Sequence, residues 1–335
     1  MKEHNIQPID IVITWVDGSD KEWLKEKQHY NSNIDIDDSA ARYRDYGTLI
    51  YVLRSIEKFA PWVRKVFLVT NGQIPSWLNL QNSKIRLVKH SDFIPSEYLP
   101  TFSSHPIEWN LNKIDELSEN FIYFNDDMLL ASAVKPSDFF KNDLPCDTLG
   151  LGIVRPVEFF SSIPFNNMMV VNKHFNFKEV CKQNKKKFFN LKYGKRMVKN
   201  IILSTQNVFY GMYDPHVALP LKKTYFDLLW QQEYDLINET CKNKFRSKND
   251  ISPWLVRYWQ LLTGNFEPRS AKFSAYFRMD EFIQNPKTVN ILKKAKYKAI
   301  CINDVGLDNQ DFVSIQEKFK AIMDTILGEK SSFEK

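Results

Sequence analysis

The sequence predicts an α/β protein whose core is a mainly parallel sheet flanked by helices, with a more helical C-terminal half. Two observations carry this. Short β-branched or apolar runs alternate with segments of helical apolar spacing through the first 150 residues, and polar turn residues follow the strand-like runs. This β-α-β rhythm points to a Rossmann-like sheet covered by helices.

The elements can be justified in order. Ile9 to Trp15 (IDIVITW) is a β-branched strand, followed by the turn Asp17-Gly18-Ser19-Asp20. Ser19 and Glu22 have the spacing of a capping box for a helix beginning near Lys21. From Thr48 to Phe59, Leu49, Val52, Leu53, Ile56 and Phe59 keep helical spacing, and Pro61 ends that helix. Val66 to Val69 and Ile85 to Val88 read as strands, Ile107 to Leu117 as a helix and Phe121 to Phe124 as a fourth strand. Further on, Tyr225, Leu228, Leu229 and Ile237 suggest one helix, Pro253 to Leu262 another, and Ala299 to Ile302 a late strand. Residues from about 321 onward are polar enough to fray.

Composition narrows the class. A chain of 335 residues with 43% hydrophobic and 14% aromatic residues can bury a large core and is not disordered. With 10 glycines and neither GxGxxG nor GxxxxGK[ST], a glycine-rich phosphate loop is not expected. The four cysteines are scattered without CxxC, which indicates neither zinc nor a disulfide framework and suits a reducing compartment. No apolar run reaches the roughly 18 residues of a membrane span, and Asp10 interrupts the N-terminal apolar stretch, so a cytoplasmic chain without a signal peptide is expected.

Charge is uneven. The net charge is +6, yet residues 180 to 213 hold eight Lys or Arg and no acid. That segment is a solvated helix face or a surface for anionic lipid or lipid-linked phosphate. Nucleic acid is the weaker partner, because RNP-like aromatics are absent.

Asn125, Asp126 and Asp127 close the fourth strand with two adjacent carboxylates that repel one another. They form either a structural turn or ion pair, or a cation site. Ligands of such sheets gather beyond the carboxyl ends of the strands. Asp17 follows the first strand, Thr70-Asn71-Gly72 the second and Asn125-Asp126-Asp127 the fourth, so a nucleotide whose phosphates are bridged to Asp126 or Asp127 by a divalent ion accounts for the pair. Asn303-Asp304 repeats the pattern after the late strand, with an ordinary Asx turn as the alternative. His216 and Arg246 are the notable polar residues between them.

The segments IDIVITWVDGSD (9 to 20), LRSIEKFAPWVRKVFLVTNGQIPSWLN (53 to 79), LPTFSSHPIEWNLNKIDELSENFIYFNDDMLL (99 to 130), HVALPL with KFRS (216 to 247) and AICINDV (299 to 305) resemble the four conserved regions of the Stealth family, in the family's order. The resemblance implies transfer of a hexose 1-phosphate from a UDP-sugar to a saccharide hydroxyl, forming a phosphodiester and releasing UMP, in bacterial surface polysaccharide synthesis. A conventional glycosyltransferase releasing UDP is the alternative. The expected architecture is glycosyltransferase-A-like: 1–150 binding the nucleotide sugar, 151–215 an aromatic and basic insert for acceptor or membrane surface, and 216–325 a helical region and final strand completing the site.

Carried over by position, Trp15, Asp17, Gly18, Arg54 and Asn125 would hold the nucleotide sugar, while Asp126, Asp127 and Asp304 would hold Mg²⁺ or Mn²⁺. His216 would be the general base, Arg246 would stabilise the phosphoryl oxygens, and His105, Glu108 and Asn303 would contact acceptor or phosphate. The implied partners are a UDP-sugar donor and a lipid-linked or oligosaccharide acceptor. Action at the inner face of the plasma membrane follows from the same resemblance.

Overall fold

The structure is a computed structural model that describes residues 7–30, 43, 45–157, 161–304 and 312–335. Its strands are β1 (Ile9–Thr14), β2 (Val66–Thr70), β3 (Ile85–Lys89), β4 (Asn120–Asn125), β5 (Met128–Leu130), β6 (Phe140–Lys141), β7 (Leu144–Asp147), β8 (Leu219–Lys222), β9 (Glu267–Pro268), β10 (Ser274–Arg278) and β11 (Ala299–Asn303). The main sheet has the order β3-β2-β1-β4-β8. Its first four strands are parallel, and β8 joins antiparallel to β4. The mainly parallel α/β sheet expected from the sequence is present.

Alternate residues of the central strands feed two cores. Ile11, Ile13, Leu68, Ile122 and Phe124 enter one face, and Val12, Phe67, Val69, Phe121 and Tyr123 the other. Both faces are dry, which is why these strands read as continuous apolar runs. Burying one such side chain stabilises by roughly 1.5–3 kcal/mol, and a one-residue slip would exchange every side chain between the two cores.

Several boundaries differ from the sequence expectations. The helix Lys21–Tyr30 is capped by Asp20, not by a Ser19–Glu22 box: the Asp20 Oδ1 accepts from the backbone N–H of Glu22 (2.9 Å) and Trp23 (3.0 Å). Ser19 instead donates to Asp17 Oδ1 through both N–H and hydroxyl. The helix expected over 107 to 117 is the short helix Ser104–Trp109 followed by a 3-10 turn at Leu111–Lys113. Asn110 stops it, because its side-chain amide takes the Pro106 carbonyl at 2.7 Å, a carbonyl that the helix itself needs. The single helix expected around Tyr225 to Ile237 is two, Lys223–Gln232 and Tyr234–Lys242, broken where the buried Glu233 turns to pair with Lys173 (2.7 Å) and His174.

The chain end does not fray. Helix Phe312–Leu327 packs along the helix Thr48–Phe59, with the Tyr51 and Phe319 rings 5.7 Å apart, and Phe333 is 1% exposed. Arg54 holds this junction. Its Nε and Nη2 donate to the two carboxylate oxygens of Glu334 at 2.8 Å each, and Nη1 donates to the Leu327 carbonyl at 2.9 Å. Arg54→Ala leaves Glu334 buried without its partner, so we expect a loss of about 3–5 kcal/mol in urea unfolding. Turnover per folded molecule should stay unchanged.

The C-terminal half completes two small sheets. β11 pairs parallel with β10 and antiparallel with β5, and β7 lies between β6 and β9. No helix among the described residues is long and apolar enough to cross a membrane.

Candidate active site

The chain order reverses between β1 and β4: β2 and β3 extend the sheet to one side, β8 to the other. Connections on either side of such a switch point leave a crevice at the carboxyl ends of the two strands. There, past Thr14 and Asn125, lies a cleft of about 1380 Å³. Trp15, Asn71, Asn125, Asp126 and Asp127 all line it, so the segments after β1, β2 and β4 converge on one edge, although Asp17, expected there, is not among the lining residues. Thr14 and Tyr123 are joined across the two strands by a 3.0 Å hydroxyl contact.

Antiparallel pairing brings the C-terminal residues to the same edge. β5 leaves the Asp126-Asp127 turn and pairs with β11 in the register Cys301↔Met128, which delivers Asn303 and Asp304 beside Asp127. The Asn303 amide donates to Asp127 Oδ2 at 3.0 Å, and the Cys301 thiol donates to the same oxygen at 3.3 Å. Burial and the Asp127 charge push the Cys301 thiol well up, so it stays a protonated donor. Asp127 Oδ1 is buried and has no hydrogen-bond partner among the described residues.

Asp126 is under related pressure. Burial first, then the charges of Asp127 and Asp45, raise its pKa well above the carboxylate range. Asp45 is the third carboxylate in the group, held by the Trp15 indole N–H (3.1 Å) and the Gly47 N–H (2.6 Å). Asp304 accepts from the Tyr46 hydroxyl at 3.3 Å. An oxygen-seeking divalent cation fits this set, because it would satisfy the orphaned Oδ1 and relieve the mutual repulsion. Among the described residues, three metal-capable ligand atoms lie within 4.8 Å of one another at Asp127, His216 and Cys301. The expected trio of Asp126, Asp127 and Asp304 is not gathered that tightly; Asp126 and Asp304 stand beside the group on the cleft wall.

His216 reaches the cleft because β8 is antiparallel: Leu219 pairs with Tyr123, so the residues before β8 lie over the end of β4. Its φ of 45° is unusual for a non-glycine residue and carries a backbone cost of about 1–2 kcal/mol. Neighbours hold it there. Arg257, fully buried on the helix Trp254–Leu262, pairs with Asp147 at 2.6 Å and Asp214 at 3.4 Å and donates to the Tyr213 carbonyl at 2.8 Å. The Tyr258 hydroxyl donates to Asp214 at 2.7 Å. Burial, opposed by Arg257, pushes Asp214 up to about 6. The His216 ring meets Tyr276 edge-on at 5.9 Å, and the Tyr276 hydroxyl donates to Asn303.

A further stretch of cleft lining comes from the helix Ser104–Trp109 and the Arg246 loop. Arg246 donates to the Ser104 hydroxyl at 2.9 Å, and Glu108 also lines the cleft. His105 is buried with Nδ1 3.3 Å from Asp250; burial lowers its pKa against the pull of that carboxylate, which favours the neutral ring. Arg196 lines the cleft too, its guanidinium 3.1 Å above the Tyr213 ring.

Of the sequence-derived candidates, Trp15, His105, Glu108, Asn125, Asp126, Asp127, His216, Arg246, Asn303 and Asp304 line this one cleft. Arg54 does not; it is spent on Glu334. Asp17 and Gly18 do not line it either. The Gln73 side chain hooks the Asp17 backbone by its N–H (2.8 Å) and carbonyl (3.0 Å), tying the β1 turn to the β2 turn. Gly18 packs so closely on Tyr43 that a Cβ would fall 2.0 Å from its carbonyl oxygen. Sequence reasoning missed Asp45, Cys301, Arg196, Asp214 and Arg257. Arg257 left a local trace, as the one charge inside the largely apolar run WLVRYWQLL, and Arg196 was legible only as one cation of the basic segment.

Residues 7–35 match Stealth protein conserved region 1, and residues 42–146 match Stealth protein conserved region 2. Over 340 residues the chain is 42% identical to the capsular polysaccharide phosphotransferase WcwK of Streptococcus pneumoniae, covering 99% of each. The chain belongs to the Stealth family. This Stealth protein is also 40% identical, over 98% of its own length and 96% of the relative's, to the exopolysaccharide phosphotransferase cps2G of Lactiplantibacillus plantarum. Among solved structures, the galactosyltransferase LgtC with donor and acceptor sugar analogs aligns over 94% of this chain and 95% of its own, at 12% identity and a TM-score of 0.38. The two family matches end before His216, Arg246 and Asp304, so the full-length relatives are what extend the kinship to the second half of the cleft.

Proposed function

We infer that this Stealth protein transfers a hexose 1-phosphate from a UDP-sugar to a saccharide hydroxyl in surface polysaccharide synthesis. The observation that carries this reading is the meeting of His216, just before β8, and Asp127, just after β4, at the carboxyl edge of the sheet with ligand atoms no more than 4.8 Å apart. A proton acceptor next to an anion-rich, cation-ready turn is what phosphoryl transfer to a hydroxyl needs. The kinship with named capsular and exopolysaccharide phosphotransferases supports the same chemistry.

On this reading Trp15, Asn125 and the turn at Asp17 and Gly18 form the nucleotide edge. Asp126 and Asp127, with Asp304 nearby, would hold Mg²⁺ or Mn²⁺, which would neutralise the diphosphate. Such hard cations prefer oxygen, so the His216 imidazole and the Cys301 thiol stay outside that role. The acceptor oxygen forms a bond to the β-phosphorus as the bond from that phosphorus to the bridging oxygen breaks; UMP departs and the hydroxyl proton passes to His216. Arg246, steadied by Ser104, offers its planar fork to the equatorial phosphoryl oxygens. Glu108, His105 and Asn303 border the acceptor. A lipid-linked saccharide at the inner face of the plasma membrane is the acceptor this chemistry suits.

The test is product identity. Purified protein supplied with a panel of UDP-sugars, Mg²⁺ or Mn²⁺ and saccharide acceptors is expected to release UMP and form a phosphodiester visible by ³¹P NMR. Release of UDP with a glycosidic product would instead establish conventional glycosyl transfer.

A further inference from the structure

The helix Lys195–Leu203 has two unlike faces. On the inner face Asn200 is fully buried: its amide donates to the carbonyls of Leu149 (3.2 Å) and Phe188 (3.0 Å), and its Oδ1 accepts from the Leu151 N–H (2.7 Å). One turn earlier Arg196 lines the cleft. Together they fix the roll of the helix. On the outer face Val198, Ile201 and Ile202 recur at i, i+3 and i+4 and are 54%, 49% and 63% exposed; Leu191, just before the helix, is 82% exposed.

The basic segment divides the same way. Lys187 donates to the carbonyls of Gly264 and Phe266, Lys192 donates to the Pro268 carbonyl, and Arg196 covers Tyr213. The other five of the eight cations, Lys182, Lys185, Lys186, Lys195 and Lys199, are exposed. No acid occurs between 180 and 213 to neutralise them.

A solvated lysine face accounts for the cations. It does not account for three branched aliphatic side chains and a leucine held in water beside them, since an exposed apolar patch rimmed by polar residues marks an interaction surface. Apolar residues with lysines around them complement an anionic lipid interface, where acyl chains receive the first and phosphate headgroups the second. We propose that the helix Lys195–Leu203 docks this protein on an anionic bilayer, its Val198, Ile201 and Ile202 face inserted at the headgroup boundary. The opposite face of the same helix contributes Arg196 to the cleft, so docking holds the cleft one helix diameter, ~10 Å, from the surface that would carry a lipid-linked acceptor. Docking needs neither donor nor acceptor, and it stands or falls separately from the reaction proposed above.

The experiment is flotation of the purified full chain with phosphatidylglycerol–phosphatidylcholine vesicles and with phosphatidylcholine alone. The protein is expected to float with the anionic vesicles, and high salt should weaken this without abolishing it, because the apolar contribution is not screened. Val198→Ser, Ile201→Ser and Ile202→Ser combined should lower the bound fraction about tenfold or more, with unfolding temperature and turnover on a soluble acceptor unchanged. Lys195→Gln with Lys199→Gln should lower binding and flatten its salt dependence. Failure of the wild-type protein to float overturns the proposal, as does flotation indifferent to the apolar triple substitution. Light scattering showing a dimer that the triple substitution dissolves would assign the face to self-association instead.

Discussion

Asp127→Asn is expected to lower turnover by about 10³-fold or more while leaving the fold intact. The Asp127 Oδ2 is occupied by two donors, the Asn303 amide and the Cys301 thiol, so the substituted amide must keep its oxygen on that side. Its NH₂ then replaces the unpartnered Oδ1 and faces any cation with the wrong polarity. A cation held by that oxygen would supply several kcal/mol of charge stabilisation to the transferring phosphoryl group, and each 1.36 kcal/mol is tenfold in rate. Chelation by EDTA should abolish activity and added Mg²⁺ or Mn²⁺ restore it. Were the carboxylate pair merely structural, the variant would instead lose roughly 1–3 kcal/mol in urea unfolding, keep its turnover and ignore EDTA. Steady-state rates and urea curves on the same preparation separate the two.

His216→Ala should depress kcat by about 10²- to 10⁴-fold, the range of a positioned general base, with donor affinity nearly unchanged. A proton acceptor acts on the transition state, whereas a donor-binding residue acts on ground and transition states alike. Calorimetric titration with the UDP-sugar supplies the affinity. Arg257 anchors the loop just before His216 through the Tyr213 carbonyl and the Asp214 carboxylate, contacts that do not involve the imidazole, so the loop should keep its course in the variant. If the variant binds donor weakly yet turns over normally at saturation, His216 is a binding residue and the base lies elsewhere.

Much of the frame was legible because its determinants are local. β1, β2 and β4 are buried on both faces, and a strand buried on both faces must be an apolar run. Parallel strands put their carboxyl ends on one edge, so turn residues after different strands had to converge. His216 was legible as an unusual residue but not as a neighbour of Asp127. That contact depends on β8 running antiparallel, which no local pattern announces.

Residue identity and spacing by themselves determined the α/β class, the positions of β1, β2, β3, β4 and β11, the acidic turn at 125 to 127 and the uneven placement of positive charge. The tertiary structure alone decided which polar residue meets which. It placed Arg54 on Glu334 instead of in the cleft, tied down a chain end whose composition suggests fraying, and divided the basic segment into cations used inside and cations left outside. It also joined Cys301 and Asn303 to Asp127. The physical reason is one of range. Burial pattern and turn chemistry act within a few residues and are written in the order of the chain, whereas a charge or a hydrogen bond takes its meaning from a partner that only folding brings within about 3 Å.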